Sequence, residues 1–231
     1  MLPGMMCDER LFALQISALE NEYEIIVPSL DRPASIEGMA RCILDEVKAP
    51  TFNLLGLSMG GIIAMSMVGL APHRASRLAL LDANHQADAP SRFAMRNRQI
   101  EDVRAGKLHH VIATEMKPIY LAKANRKNQA LLDLLIAMAL DLGDETFIAQ
   151  SIALRDRHDH SNILRNYHGP TLLLCGEEDA LCPPLYHTQM AKLISRSVFC
   201  EIADAGHITT LEQPATVTAA VKEWLAMAIE F

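Results

Sequence analysis

The sequence of 231 residues lacks the segments that mark membrane, secreted and disulfide-bonded proteins. A membrane span needs roughly 18–20 apolar residues, and the longest apolar run, at 131–140, is short and interrupted by Asp133. The first residues lack the basic and apolar regions of a signal peptide. The five cysteines are scattered and form no CxxC pair, which argues against a disulfide framework or a zinc site. These absences indicate a cytoplasmic protein with no membrane partner.

The sequence also lacks an excess of basic residues. It contains 21 Lys and Arg against 28 Asp and Glu, so its formal net charge is −7. Nucleic-acid binding requires cations that neutralise phosphates, and this balance argues against a nucleic-acid partner. Half of the residues are apolar and 21% are charged, a composition typical of a globular chain that can fill a sizeable core.

Short apolar runs alternate with helical patterns along the chain. The runs predict strands at 24–27, Phe52–Leu57, 78–81, 171–175 and Ser197–Ile202. The helical patterns predict helices at 9–19, 36–47, 61–70, 185–194 and 214–228. Strands that alternate with helices indicate βαβ units, and continuous apolar strands indicate a sheet covered on both faces. The predicted fold class is therefore α/β, with a mostly parallel sheet flanked by helices.

The alternation stops between about Gln86 and His168. This stretch carries helical patterns only, at 92–104, 108–116, 128–142 and 145–155. We interpret residues 86–168 as a helical cap inserted into a core that consists of residues 1–85 and 169–231. The predicted cap has 12 Lys and Arg against 10 Asp and Glu, whereas the rest has 9 against 18. Two interpretations stay open: the cap helices are simply solvated, or a basic rim steers an acidic substrate or carrier.

The motif Gly-x-Ser-x-Gly at 56–60 lies between a predicted strand and a predicted helix. In that setting the chain turns sharply at Ser58, and the small residues on both sides allow neighbouring backbone to approach. The hydroxyl then stands clear of the sheet beside a helix N-terminus, which favours negative charge. The motif predicts Ser58 as a nucleophile. The alternative is that the glycines serve only to pack the helix.

A serine hydroxyl is a weak nucleophile and needs a base. His207 is the candidate, because it alone among the nine histidines lies in a loop between the last predicted strand and the last predicted helix. His85 and His168 are the next candidates. The acid that orients the base is predicted to be Asp179, which directly follows a buried strand. Asp82, at the end of the preceding predicted strand, is the rival.

These motifs resemble those of the α/β-hydrolase superfamily, in particular the small capped bacterial hydrolases of the pimeloyl-acyl-carrier-protein methyl ester esterase type. The matching stretches are residues 2–8, the turn at Ser58, residues 80–84, the Asp179 loop and residues 206–214. The resemblance implies an α/β-hydrolase fold with a helical cap. It also implies that backbone N–H groups of Met5 and Met59 form the oxyanion hole. Since the family has two strands and most of a third before Pro3, we expect the sequence to be N-terminally truncated.

The predicted function is hydrolysis of a small or medium carboxylic ester through an acyl-enzyme on Ser58, as in a serine carboxylesterase. The basic tilt of the cap makes a carrier-linked or carboxylate-bearing ester a further hypothesis. No cofactor is predicted, and no metal site, since the cluster at 156–160 matches no standard ligand spacing. The alternatives are a thioesterase, lactonase, C–C hydrolase or haloperoxidase-like enzyme on the same triad, or a non-catalytic truncated member. The sequence specifies no oligomeric state.

Overall fold

The computed structural model describes residues 1–31 and 33–229 and contains a four-stranded parallel sheet. Its strands are β1 Phe52–Leu57, β2 Ala75–Leu81, β3 Thr171–Gly176 and β4 Ser197–Ile202, which are neighbours in that order. Four of the five predicted strands are therefore confirmed, and so is the α/β fold class. Because the strands are parallel, their carboxyl ends meet at one edge of the sheet, where α/β folds build their sites.

Ten α-helices accompany the sheet in the described chain. They are α1 Ala13–Leu19, α2 Ile36–Glu46, α3 Met59–Leu70, α4 Pro90–Arg104, α5 Leu108–His110, α6 Gln129–Arg155, α7 Ser161–Arg165, α8 Pro184–Leu193, α9 Thr209–Glu212 and α10 Pro214–Leu225. Helices α2, α3, α7 and α8 pack against one another, while α1 packs on α10. The two groups cover the sheet so fully that every residue of β3 is buried.

The strand predicted at 24–27 is wrong. These residues pair with no strand in the structure, although the ammonium of Met1 donates a hydrogen bond to the carbonyl of Ile26 at 2.7 Å. The edge of β1 that faces away from β2 is bridged by Leu2, whose N–H donates to Leu55 at 2.8 Å and whose carbonyl accepts from Leu57 at 3.0 Å. Apolar, β-branched residues form a strand only where a neighbour takes their hydrogen bonds, and one contact with Met1 does not build a ladder.

Residues 82–170, all of which the structure describes, contain helices and turns and no strand. The helices predicted at 128–142 and 145–155 form the single helix α6, which is broken at Gly143 by a non-helical backbone conformation. The helix predicted at 108–116 is α5 followed by a π-helical stretch, Val111–Met116. No helix in the described chain, α6 included, is long and apolar enough to cross a membrane. The division into a core and a cap stays a prediction.

Gly143 sets the break in α6, so its replacement should destabilise the fold. Its φ of 78° and ψ of 178° lie in a region that glycine alone adopts without strain. We expect Gly143→Ala to lower the free energy of unfolding by about 1–3 kcal/mol, measured by denaturant unfolding followed by circular dichroism. The control is Glu145→Ala, which removes an exposed side chain of the same helix and should cost less than about 0.5 kcal/mol. A Gly143→Ala variant as stable as the wild type would contradict this explanation of the break.

Candidate active site

Ser58 lies at a strained turn between the end of β1 and the start of α3. Its φ of 54° is unusual for a residue with a side chain. Glycine is required on both sides of Ser58 because neighbouring backbone atoms lie too close to leave room for a side chain. A Cβ on Gly56 would lie 2.3 Å from the carbonyl oxygen of Gly60, and a Cβ on Gly60 would lie 2.0 Å from the carbonyl oxygen of Leu2. The motif predicted from the sequence thus forms the sharp strand-to-helix turn that it indicates.

Ser58, His207 and Asp179 form a continuous chain of hydrogen bonds. The distance from His207 Nε2 to Ser58 Oγ is 2.8 Å, and that from His207 Nδ1 to Asp179 Oδ2 is also 2.8 Å. His207 and Asp179 are 2% and 3% exposed, whereas Ser58 is only partly buried. With its proton on Nδ1, facing the carboxylate, His207 presents the lone pair of Nε2 to the serine hydroxyl. The arrangement shields the base while leaving the hydroxyl accessible.

Asp179 is held in the ionised form by its hydrogen bonds. Burial raises the pKa of this carboxyl group, but the charge of His207 and the hydrogen bonds to the group outweigh burial and lower the pKa below its usual range. Besides His207, the backbone N–H groups of Leu181 and Cys182 donate to Asp179 Oδ1 at 2.8 and 2.9 Å. An ionised carboxylate fixes the tautomer of the imidazole and stabilises its protonated form.

Asp82, the rival acid, makes no hydrogen bond to His207. Its φ of 47° turns the chain at the end of β2, and its side chain is fully buried. Oδ1 accepts from the N–H of Gly176 at 3.0 Å, and Oδ2 accepts from the hydroxyl of Thr209 at 2.6 Å. Asp82 therefore ties the loop that carries Asp179 to the loop that carries His207. Burial and then the charge of Asp179 raise the pKa of Asp82 well above its usual range.

The two alternative histidines of the sequence analysis, His85 and His168, do not bond to Ser58. His85 is buried and His168 is exposed, and neither is hydrogen-bonded to Ser58.

The cluster at 156–160 brings no three ligand atoms together. In the described chain the one group that could hold a metal ion is Asp179, Cys182 and His207, whose ligand atoms lie within 4.8 Å of one another. Asp179 and His207 already bond to each other, and burial raises the pKa of the Cys182 thiol well above its usual range, so this set is a poor fit for a metal.

The segments that carry the two predicted oxyanion donors lie beside Ser58. Met59 is the first residue of α3, where backbone N–H groups have no partner within the helix. Met5 belongs to the loop of residues 3–6, which passes close to the nucleophile. A Cβ added to Gly4 would be in van der Waals contact with Ser58 Cβ, at 3.4 Å. The roles of these two N–H groups stay predictions.

Two residues of the predicted cap bond to this loop and hold it in place, and the sequence did not reveal them. Met6 has a φ of 53°, its N–H donates to Gln150 Oε1 at 2.8 Å, and its carbonyl accepts from Lys117 Nζ at 3.3 Å. Lys117 is fully buried, and its ammonium lies 4.7 Å from the centre of the Tyr120 ring. A single Lys and a single Gln in helical patterns carry no sequence signal for such a role.

Tyr120 links the predicted cap to the base. The backbone N–H of His207 donates to the carbonyl of Tyr120 at 2.7 Å, and the two rings pack edge to face with centres 5.2 Å apart. The position of the imidazole is therefore defined from three sides, by Asp179, by Ser58 and by Tyr120. Only the first two contacts were expected from the sequence.

A family model described as "alpha/beta hydrolase fold" matches residues 28–214 of this chain. Among curated proteins, the chain is similar to the dihydrolipoyllysine-residue acetyltransferase component of the acetoin cleaving system of Pseudomonas putida. The two are 25% identical over 215 residues, which make up 91% of this chain and 54% of that protein. The chain thus spans about half the length of this curated relative.

Among solved structures, the chain is similar to an esterase from Thermogutta terrifontis that has malate bound. The identity is 29% and the TM-score is 0.87, with 97% of this chain and 87% of that chain covered. It also resembles the enol-lactonase from Burkholderia xenovorans LB400, at 20% identity and a TM-score of 0.86, with 98% and 90% covered. At that lower identity the likeness is one of fold.

The raised pKa of Asp82 predicts a pH dependence of stability with a definite sign. Below the unfolded pKa near 4 both states are protonated. As the pH rises above that value the unfolded chain releases the proton while the folded chain keeps it, so folding is weakened until the folded pKa is passed. Asp82→Asn removes this titration.

We therefore expect the stability of Asp82→Asn relative to the wild type to increase as the pH rises from about 4 towards the folded pKa of Asp82. The measurement is denaturant unfolding of both proteins across the pH range. Asp45→Asn, which replaces an exposed carboxylate, is the control for the loss of one negative charge at the surface. A flat or falling curve for Asp82→Asn would show that Asp82 is ionised in the folded protein.

Proposed function

The chain belongs to the alpha/beta hydrolase fold family, and from this membership we propose that it is a serine hydrolase that cleaves carboxylic esters. The observation that carries the proposal is the hydrogen-bonded chain from Ser58 through His207 to Asp179, with both distances at 2.8 Å. The likeness to an esterase at 29% identity supports ester bonds as the substrate class.

In the first step of the proposed reaction, the Ser58 hydroxyl attacks the ester carbonyl. His207 Nε2 accepts the hydroxyl proton, and Asp179 stabilises the imidazolium that results. The carbonyl oxygen becomes negatively charged and accepts hydrogen bonds from the N–H groups of Met5 and Met59. Each such donor contributes about 3 kcal/mol of transition-state stabilisation in acyl transfer. The imidazolium then protonates the leaving alcohol, and the acyl group stays on Ser58.

In the second step His207 removes a proton from water, which attacks the acyl-enzyme. A second oxyanion forms at the same two N–H groups and collapses to the free acid and the serine hydroxyl. Lys117 and Gln150 take no part in proton transfer, but they hold the Met5–Met6 loop in the conformation that the oxyanion hole needs.

The proposed nucleophile can be tested with a fluorophosphonate, which reacts only with a serine that a base activates. We expect one adduct per chain by intact mass, and none in Ser58→Ala. Circular dichroism of both proteins checks that they are folded. A folded wild-type chain that forms no adduct, or a Ser58→Ala chain that still forms one, would contradict the assignment.

The two buried aspartates make a matched pair for testing the acid. Asp179→Asn removes the carboxylate that orients His207, and we expect kcat for an activated ester to fall by about 10⁴-fold. Asp82→Asn keeps the hydrogen-bonding shape of a side chain that makes no hydrogen bond to His207, and we expect a loss of less than about tenfold. Equal losses in the two variants, or a larger loss in Asp82→Asn, would reverse the assignment of the acid.

A further inference from the structure

Lys117 is a fully buried lysine whose ammonium has no carboxylate partner in the described chain. Asp8, which follows Cys7 in the N-terminal loop, pairs with Arg10 instead. Burial of an ammonium costs free energy that only an opposite charge and hydrogen bonds offset, and lysine is therefore almost never fully buried unless it is paired. The burial of Lys117 is thus not explained by its contribution to stability.

The ammonium of Lys117 contacts two different parts of the molecule. Nζ donates to the carbonyl of Met6 at 3.3 Å and to Cys7 Sγ at 3.6 Å. Nζ also lies over the ring of Tyr120, at 4.7 Å from its centre. A cation over an aromatic face is attracted by the negative charge of that face, and the attraction is stronger where water is excluded. The ammonium therefore contacts both the Met5–Met6 loop and the Tyr120 ring.

An irregular backbone brings Lys117 and Tyr120 together. The π-helical stretch Val111–Met116 ends directly before Lys117, and Lys117–Tyr120 is a 3₁₀ helix. In a 3₁₀ helix the side chains at positions i and i+3 lie on the same face, which places the ammonium over the ring. Both the π-helical form and a buried unpaired charge are uncommon, and π-helical turns are frequent at functional sites.

Tyr120 also contacts the proposed base. Its ring packs edge to face on the imidazole of His207, with centres 5.2 Å apart, and its carbonyl accepts a hydrogen bond from the N–H of His207 at 2.7 Å. His207 Nε2 in turn lies 2.8 Å from Ser58 Oγ. An unbroken series of contacts thus joins the ammonium of Lys117 to the proposed nucleophile, through the Tyr120 ring and the imidazole.

We propose that Lys117 is a positioning residue for both parts of the proposed site. Through the carbonyl of Met6 it holds the loop that carries the Met5 N–H, and through the ring of Tyr120 it holds the imidazole of His207. Gln150, in contrast, bonds to the loop alone. A misplacement of roughly 1 Å in a catalytic group can slow a reaction by about 10²-fold. This inference rests on the proposed function and deepens it, since one charge aligns the oxyanion hole and the base together.

The proposal predicts that removal of the charge affects rate and stability differently. Lys117→Met removes the ammonium and keeps most of the length of the side chain. We expect kcat for an activated ester to fall by about 10²-fold, with KM within about threefold of the wild-type value. We expect the midpoint of denaturant unfolding to stay the same or to rise, because replacement of a buried ion by an apolar residue is often neutral or stabilising. A role in stability alone would lower the midpoint and leave the kcat of the folded protein unchanged.

Lys127→Met is the matched control for the loss of one positive charge. Lys127 is exposed and lies in the same stretch between β2 and β3. Its kcat and its unfolding midpoint should equal those of the wild type, since exposed substitutions rarely matter. The proposal is wrong if Lys127→Met lowers kcat as much as Lys117→Met does. It is also wrong if Lys117→Met keeps the wild-type kcat, or if its unfolding midpoint falls.

Tyr120 provides a second test that leaves Lys117 in place. Tyr120→Leu removes the ring between the ammonium and the imidazole, and we expect kcat to fall by about tenfold or more. Tyr120→Phe restores the ring and should recover most of that loss. If Lys117→Met does not fold, this pair decides the question, and a Tyr120→Leu variant with the kcat of the wild type would overturn the proposal.

The double variant Lys117→Met/Tyr120→Leu tests whether the two side chains act together. We expect its loss of kcat to be smaller than the product of the two single losses, because both substitutions break the same contact. A loss equal to that product would show independent effects and contradict the proposed link.

These measurements separate this inference from the proposed function. If the wild type hydrolyses an ester and forms the fluorophosphonate adduct on Ser58, but the variants behave otherwise than expected, the inference fails and the proposed function stands. If the wild type neither hydrolyses an ester nor forms the adduct, the proposed function fails and the inference fails with it.

Discussion

The candidate active site depends on one imidazole ring that is hydrogen-bonded at both nitrogens. His207 contacts Asp179 through Nδ1 and Ser58 through Nε2, both at 2.8 Å, and a shift of more than about half an ångström on either side would lengthen that contact beyond hydrogen-bonding distance. The three side chains follow β1, β3 and β4, so a parallel sheet brings their loops to one edge. The sheet alone does not set the final distances. Asp82, buried between the loops after β3 and β4, joins them through Gly176 and Thr209.

The helices between β2 and β3 complete this arrangement rather than merely covering it. Tyr120 packs against the imidazole. Gln150 accepts a hydrogen bond from the backbone N–H of Met6, and Lys117 donates one to its carbonyl. The buried ammonium of Lys117 has no carboxylate partner in the described chain. Lys117 therefore places a buried positive charge beside Tyr120, which packs on the imidazole. The mild basic excess of residues 86–168 is therefore not spread evenly over solvated helices, since Arg96, Lys117 and Arg157 are buried.

Much of the fold could be predicted because the signals are local. β1 and β4 have the predicted bounds, and Ser58, Asp179 and His207 could be proposed because each follows an apolar strand in a recognisable motif. The strand at 24–27 was wrong because a strand depends on a partner, which no local pattern specifies. Lys117 and Gln150 were missed for a similar reason. Their positions depend on how residues 86–168 pack on the core, and an isolated Lys or Arg in a helix is usually exposed. The assignment of Asp179 over Asp82 rested on chain order, and the hydrogen bond to His207 now supports it.

Acyl-enzyme trapping tests the account most directly. The chain is mixed with a p-nitrophenyl ester and quenched in acid during turnover, and its peptides are then analysed by mass spectrometry. The account predicts an added acyl mass on the peptide that contains Ser58, formed at the same rate as the first equivalent of p-nitrophenol. An acyl group on another residue, such as one of the five cysteines, or undiminished release of p-nitrophenol by a folded Ser58→Ala variant, would contradict the account.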